Sequence, residues 1–206
     1  MRKLLVILGA VALVLSLSVC SSAPQSSGVQ RVDASTQIDL SGYWNDTDVR
    51  LVCETLIKDC LSSPRVDQAI RARGGRIPTV VVGRFRNESS EHIDTAIISR
   101  NMEIAIFNSG KLDFVAGGDT RDEIRAERQD QQGNASEATA AALGNETGAD
   151  FMLVGTVRSI VDRAGNQSVR TYFVSAELTN IENNTRLWMG DNNEIKKVIT
   201  QAKNKL

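Results

Sequence analysis

The sequence is poor in the residues on which most enzymes depend. Among its 206 residues there is one histidine, His92, which rules out a multi-histidine metal site. The only Gly-Lys pair, Gly110-Lys111, lacks the upstream glycine and the following serine or threonine of a phosphate-binding loop. Gly117-Gly118 has no third glycine at dinucleotide-binding spacing. We therefore expect no enzyme, with no catalytic residue, no cofactor and no bound metal.

Excess positive charge and aromatic residues are missing as well. The 24 lysines and arginines are balanced by 25 aspartates and glutamates, giving a net charge of -1, and aromatic residues make up 4% of the chain. A nucleic-acid-binding domain is usually clearly basic, and a single-strand binder uses aromatic side chains as stacking platforms. The composition argues against nucleic acid as a partner.

The first twenty residues have the pattern of a bacterial export signal. Arg2 and Lys3 precede an apolar run over residues 4–17, which is short for a membrane-spanning helix. The segment Leu17-Ser18-Val19-Cys20 resembles a lipobox, so we expect a signal peptide over residues 1–19 and a lipid anchor on Cys20. The residue before the cysteine is usually small, and here it is valine. A plain cleaved signal peptide is therefore the alternative.

A small, polar segment follows the predicted anchor. Residues 20–37 contain Pro24 and Gly28 and show no periodicity, which predicts a flexible tether. Ser21 follows the cysteine, where an inner-membrane retention signal typically has aspartate. We therefore expect an outer-membrane, lipid-anchored protein whose domain, residues 38–206, faces the periplasm.

The rest of the chain mixes helical and strand patterns, which predicts an α/β (α+β) domain with a small mixed sheet of four to five strands flanked by helices. Helices are predicted over 45–61, 65–76, 92–108, 119–132 and 136–146 and in the lysine-rich C-terminal segment. Strands are predicted over 79–83, 111–116, 151–162, 168–181 and around 187–189, with a hairpin at 164–167. Thr120 and Glu123 have the spacing of a capping box.

Cys53 and Cys60 lie on the apolar stripe of the first predicted helix. Seven residues of helix separate them by about 10.5 Å along the axis, which is too far for a disulfide. We expect two buried, unpaired thiols. A nucleophilic pair of Cys53 with His92 is the alternative, and the apolar position of Cys53 argues against it.

The predicted helix 119–132 has an unusual charge pattern. Arg121, Arg125 and Arg128 form a basic stripe, and Glu123, Glu127 and Asp130 repeat the same spacing on another face. Two interpretations stay open: the stripes pair with neighbouring elements of the domain, or one of them docks a partner protein. The candidate partner-binding residues are Arg121, Asp122, Arg125 and Arg128.

Several segments between residues 38 and 199 resemble the LpoB family, which comprises lipoprotein activators of bifunctional class A penicillin-binding proteins. The resemblance is carried by DLSGYWNDTD (39–48), VVVG (80–83), RNES (86–89), NSGK (108–111), RDEIRAERQDQ (121–131) and ETGADF (146–151). Related motifs occur in TolB N-terminal, FlgT and curli-pore proteins. The resemblance implies a TolB N-terminal-like fold and a non-enzymatic protein. Its partner would be a class A penicillin-binding protein, whose peptidoglycan synthesis it stimulates.

A second function stays open beside the activator. Other envelope lipoproteins with such domains are structural subunits of secretion or motility assemblies. A subunit of that kind is expected to oligomerise, whereas an activator is expected to be a monomer.

Overall fold

Residues 28–144 and 146–201 are described by the structure, a computed structural model. The predicted signal peptide, Cys20 and the first part of the predicted tether lie outside the described residues. Residues 28–37 contain no helix or strand and are exposed. The chain divides into a short N-terminal unit that ends at Thr36 and a compact unit over residues 37–206. No helix within 28–144 or 146–201 is both long enough and apolar enough to cross a membrane.

Within the described residues, four helices and six strands form the compact unit, and the predicted mixed α+β class is confirmed. The helices are α1 (Asp46–Ser62), α2 (Pro64–Arg71), α3 (Thr95–Ser109) and α4 (Gly118–Asn134). The strands are β1 (Thr79–Asn87), β2 (Asp113–Phe114), β3 (Phe151–Ala164), β4 (Gln167–Asn180), β5 (Arg186–Asn192) and β6 (Lys196–Thr200).

All six strands join one mixed sheet, in the order β2-β1-β3-β4-β5. The first three are parallel, and β3 and β4 form the predicted hairpin, with Ala164 paired to Gln167. β5 and β6 both pair antiparallel with β4, β5 along its C-terminal half and β6 along its N-terminal half. The edge of the sheet next to β4 is therefore one interrupted strand.

The core lies between one face of the sheet and helices α1, α2 and α3. Val52 and Leu56 of α1, together with Ile98 of α3, are fully or almost fully buried in it. Phe85 of β1 lies over Gly155 of β3, where a Cβ atom would fall 2.1 Å from the phenyl ring. Only glycine fits at residue 155 for this reason. We call the side of the sheet away from α1–α3 the open face.

Three predictions about local structure were wrong. The lysine-rich C-terminal segment is strand β6, because its β-branched residues Val198, Ile199 and Thr200 pair with the start of β4. Residues 136–144 contain turns and no helix; an alanine-rich segment of this length is marginal without an apolar face to bury. The capping box at Thr120 does not form, since α4 begins at Gly118 with Gly117 as its N-cap.

Other element boundaries moved by several residues. α3 begins at Thr95, because the Asp94 side chain accepts a hydrogen bond from the Ala96 amide and caps the helix there. Gly110 adopts the left-handed conformation at its C-terminal end, as predicted. The strand predicted over 79–83 continues to Asn87, and the one predicted over 111–116 shrinks to two residues.

The prediction for the two thiols is confirmed. Cys53 and Cys60 are buried and free on α1, and burial raises the pKa of each to about 12. The Cys53 thiol donates a weak hydrogen bond to the backbone oxygen of Ile98, 3.8 Å away, while His92 is exposed. A thiol of this kind is not an activated nucleophile.

Candidate functional site

Helix α4 is the most exposed helix of the described chain, since it buries none of its residues. Three of the predicted site residues, Arg121, Arg125 and Arg128, are directed at the segment around Ala116 and at the loop that precedes β3. Arg121 Nε donates to the backbone oxygen of Ala116 at 2.8 Å. The basic stripe therefore has neighbours within the domain.

Glu146 is the main partner of this stripe. Arg125 donates from Nε to Oε1 at 2.8 Å and from Nη2 to Oε2 at 3.1 Å, which is a bidentate pair. Arg128 Nη1 lies 3.4 Å from the same carboxylate in an ion pair without an aligned hydrogen bond. The hydrogen bond from Arg125 lowers the pKa of Glu146 and raises that of Arg125. One carboxylate is thus shared by two guanidinium groups.

The fourth predicted site residue, Asp122, is exposed and lies 3.3 Å from Arg125 Nη1. Glu123, Glu127 and Asp130 are exposed on the acidic face of α4. Glu127 and Asp130 accept hydrogen bonds from Gln131 and Asn134 of the same helix. The acidic stripe therefore faces solvent, whereas the basic stripe is engaged within the domain.

A small depression lies beside the basic stripe. It has a volume of about 220 Å³ and is lined by Arg121, Arg128 and Glu146 together with apolar groups of Val115, Ala116 and Ile124. Ile124 is 39% exposed and is the one large apolar side chain that α4 offers. An apolar depression beside guanidinium groups can receive one side chain of a protein partner and fix its orientation.

A second polar site, which no local sequence pattern predicts, lies where residues 38–45 meet β4 and β6. We call it the buried cluster; its charged members are Asp48, Glu91, Arg170 and Lys197. The Arg170 and Glu91 side chains are 8% and 7% exposed, with Nε 2.9 Å from Oε1. The contact is an ion pair, because the N–H bond is not aligned for a hydrogen bond.

Glu91 is also held by two aromatic residues. The Tyr172 hydroxyl donates to it at 2.8 Å, and the Trp44 amide donates at 3.2 Å. The rings of Trp44 and Tyr172 pack edge to face with centroids 5.1 Å apart. Burial and the Glu91 carboxylate raise the pKa of Tyr172, so its hydroxyl stays protonated and donates. Glu91 has the partners that a buried charge requires.

Lys197 and Arg170 bind the segment before α1 to the sheet. Lys197 Nζ lies 2.7 Å from Asp48 and 3.0 Å from Asp39, and it donates to the Tyr43 oxygen at 2.9 Å. Arg170 donates to the Gly42 oxygen at 2.8 Å. A Cβ atom at Gly42 would fall 2.0 Å from the end of the Ile199 side chain, so a larger residue at position 42 would require that side chain to move.

The buried cluster also caps the first helix. The Asn45 side chain accepts from the Asp48 amide at 3.1 Å, and the Asp48 carboxylate accepts from the Asn45 amide at 3.0 Å, which completes a capping box. Desolvation raises the pKa of Asp48, against the lowering effect of Lys197. Residues 39–48 therefore stabilise the start of α1 and its packing against the sheet.

Asp150 plays a comparable structural role at the start of β1. Its carboxylate accepts from Arg76 at 2.7 Å and from the Thr79 amide at 2.9 Å, and Arg73 lies 3.2 Å away. The hydrogen bond from Arg76 is the largest effect that lowers the pKa of Asp150, to about 2. Asp150 joins the beginnings of the two parallel strands β1 and β3.

Within 28–144 and 146–201, no group of histidine, cysteine, aspartate and glutamate side chains is arranged to hold a metal ion. The buried cysteines face the core. The charged groups of the buried cluster form ion pairs with one another. Helix α4 and the surface beside it form one exposed place where a partner could dock.

Residues 48–194 match the model of the family described as the peptidoglycan-synthase activator LpoB. The C-terminal domain of LpoB from Escherichia coli is 14% identical, with a TM-score of 0.45, covering 75% of this chain and 99% of that one. The NMR structure of E. coli LpoB is 14% identical, with a TM-score of 0.41, covering 87% of each chain. Lipoprotein GNA1162 from Neisseria meningitidis is 18% identical, with a TM-score of 0.35, covering 63% of this chain and 86% of that one. A comparison with curated proteins gives no match.

Proposed function

The chain belongs to the LpoB family of peptidoglycan-synthase activators, and from that premise we propose that it binds and activates a bifunctional class A penicillin-binding protein. The family match over residues 48–194 is the observation that carries the proposal, since it spans most of the compact unit. The family is a regulatory one and not a catalytic one. It does not favour the alternative of a structural subunit of a secretion or motility assembly.

We propose the basic stripe of α4 as the docking site, with Arg121, Asp122, Arg125 and Arg128 as its polar residues. No residue of α4 is fully buried in its own domain, so core packing does not explain its sequence. Arg125 already holds one carboxylate in bidentate geometry, which is the contact that an acidic side chain of the synthase would make. Ile124 and its depression supply an apolar anchor beside it.

A non-catalytic protein activates an enzyme by binding the enzyme's active conformation more tightly than its inactive conformation. The activation is limited by the ratio of these two affinities. Docked side chains that lose their water contribute most of the affinity, while exposed charges govern the rate and orientation of encounter. The proposed site offers both kinds of group.

The proposed activator is a monomeric lipoprotein of the outer membrane, with Cys20 acylated, residues 20–37 as its tether and the domain facing the periplasm. The sequence pattern around Cys20 supports this anchor. Metabolic labelling with palmitate tests it: the wild-type chain should take up label and the Cys20→Ser variant should not. An unlabelled wild-type chain would contradict the lipid anchor and favour a secreted protein with a plain cleaved signal peptide.

The activity test uses the full chain with the purified class A synthase of the same organism and its lipid-linked precursor. Addition of the chain should raise the rate of glycan polymerisation, and the chain alone should form no product. Light scattering should give the mass of a monomer. An unchanged rate at a concentration that saturates binding, or product formed by the chain alone, would contradict the proposal.

A further inference from the structure

The open face of the sheet carries arginines that two irregularities of the strands place there. On β1, Gly83 and Arg84 together lie opposite Val154, because the register with β3 shifts after Val82. Side chains alternate between the two faces of a strand, and one extra residue reverses the alternation. Phe85 therefore points to the core, and Arg84 and Arg86 both lie on the open face, where they are exposed.

Strand β5 repeats this arrangement at the other side of the sheet. Trp188 pairs with Leu178, yet Arg186 pairs with Thr179, which leaves Leu187 as the extra residue. Leu187 and Trp188 are both buried, and Arg186 lies on the open face. The two bulges lie in different strands, about a hundred residues apart. Each one places an apolar side chain on the core face and an arginine on the open face.

The arginines surround a depression of about 760 Å³. Arg84 and Arg86 line it from β1, Arg158 from β3 and Arg186 from β5. Its floor includes Val154 and Met189, and the Met189 side chain is 65% exposed. The depression therefore combines guanidinium groups at its rim with an aliphatic floor, and none of the side chains that line it is aromatic.

The charges of this depression are only partly neutralised. Arg158 Nη2 lies 2.7 Å from Glu88, and Arg186 Nε lies 3.0 Å from Glu177. Arg84 has no ion-pair partner in the part of the chain that the structure describes. Glu88 also lies 3.7 Å from Arg86 Nε. Three carboxylates, those of Glu88, Glu177 and Asp191, therefore face the four guanidinium groups, which leaves a charge of +1 on a chain whose net charge is -1.

We propose that this depression is a second docking site, which receives an acidic segment of the synthase; this inference rests on the proposed function. Guanidinium groups bind carboxylates in bidentate pairs, and they contribute most where apolar groups exclude water beside them. Val154 and Met189 supply the apolar groups. A polypeptide with acidic and aliphatic side chains matches both parts of the depression. A glycan would find no aromatic ring on which to stack.

The test compares three full-length proteins against the purified synthase. The variant R84E/R158E reverses two charges at the rim, and R71E/R163E makes the same charge change at exposed arginines elsewhere. R84E/R158E should bind at least tenfold more weakly than wild type, and R71E/R163E within threefold of it. Thermal melting should show that both variants are folded. Equal affinities for wild type and R84E/R158E would overturn the inference and leave the proposed function standing.

A second measurement does not depend on the synthase. A fluorescent twelve-residue peptide of glutamate and alanine should bind wild type at low salt, bind R84E/R158E at least fivefold more weakly, and be released by added salt. Absence of peptide binding would overturn the inference. Peptide binding without synthase binding by wild type would overturn both the proposed function and the synthase as occupant. Binding of wild type to purified peptidoglycan, lost in R84E/R158E while synthase binding persists, would also overturn it.

Discussion

The buried cluster and helix α4 use the same residue types for opposite purposes. In the buried cluster, Arg170 and Glu91 are less than a tenth exposed and every charged group is held by several partners. On α4, Arg125 is half exposed and its main partner, Glu146, comes from a loop. Buried charges must be satisfied for the domain to fold, whereas exposed ion pairs add little stability. Ion pairs between the same residue types therefore stabilise the fold in the buried cluster, whereas on α4 they can be exchanged for contacts with a partner.

The largest expected effect comes from the buried cluster. The variant R170A leaves the Glu91 carboxylate buried without its ionic partner and releases the Gly42 oxygen. It should lower the free energy of unfolding by about 3–5 kcal/mol. Chemical denaturation measures this, with R163A at an exposed position as the control. A loss below about 1 kcal/mol would show that the cluster contributes no more than a surface pair.

The sequence indicated the fold better than it indicated this cluster. Helix α1 and the hairpin of β3 and β4 were predictable, because their apolar periodicity and turn residues are local. The buried cluster joins Asp48, Glu91, Arg170 and Lys197, which are far apart in sequence and pair only after the sheet has formed. The lysine-rich segment looked helical for the same reason, since its partner strand lies about thirty residues earlier.

Only part of the candidate site could be predicted from the sequence. The spacing of Arg121, Arg125 and Arg128 showed a stripe, but it could not show that Glu146 pairs with it. Arg84, Arg86 and Arg186 of the open face are placed by bulges, which a regular alternation does not reveal. Several motif residues that carry the family resemblance turned out to be structural. Asn45 caps α1, Asp150 joins two strands, and Lys111 donates to the Leu61 oxygen at 2.6 Å.

Asp150 offers a pH-dependent measure of a structural carboxylate. Its pKa in the folded protein is about 2, below the usual 3.8, mainly because of Arg76. A lowered pKa stabilises the fold above the unfolded value, and this contribution is lost as the pH falls from 3.8 to about 2. D150N should lower the free energy of unfolding by about 1–3 kcal/mol near neutral pH.

The difference between wild type and D150N should therefore stay constant above pH 5 and shrink towards pH 2. Chemical denaturation across this range is the measurement. A difference that is the same at pH 2.5 and pH 7 would show that the ionised carboxylate is not what stabilises the start of β1.

The smallest effect concerns the loop carboxylate on α4. If Arg125 is to receive a carboxylate of the synthase, Glu146 must leave it, so Glu146 competes with the partner. The variant E146Q weakens this competition and should bind the synthase two- to fivefold more tightly with an almost unchanged melting temperature. E123Q, on the acidic face of the same helix, is the control. Weaker binding by E146Q would mean that Glu146 holds the docking surface in shape.

The most direct test of the contrast is the affinity of R121E/R125E for the synthase, measured together with its thermal unfolding. Both arginines lie on a helix that buries none of its residues, so the variant should unfold within a few degrees of wild type. It should bind at least tenfold more weakly, a loss of about 1.4 kcal/mol or more in binding free energy. A variant that unfolds early but binds normally while folded would contradict the account. It would make the basic stripe a structural element like the buried cluster.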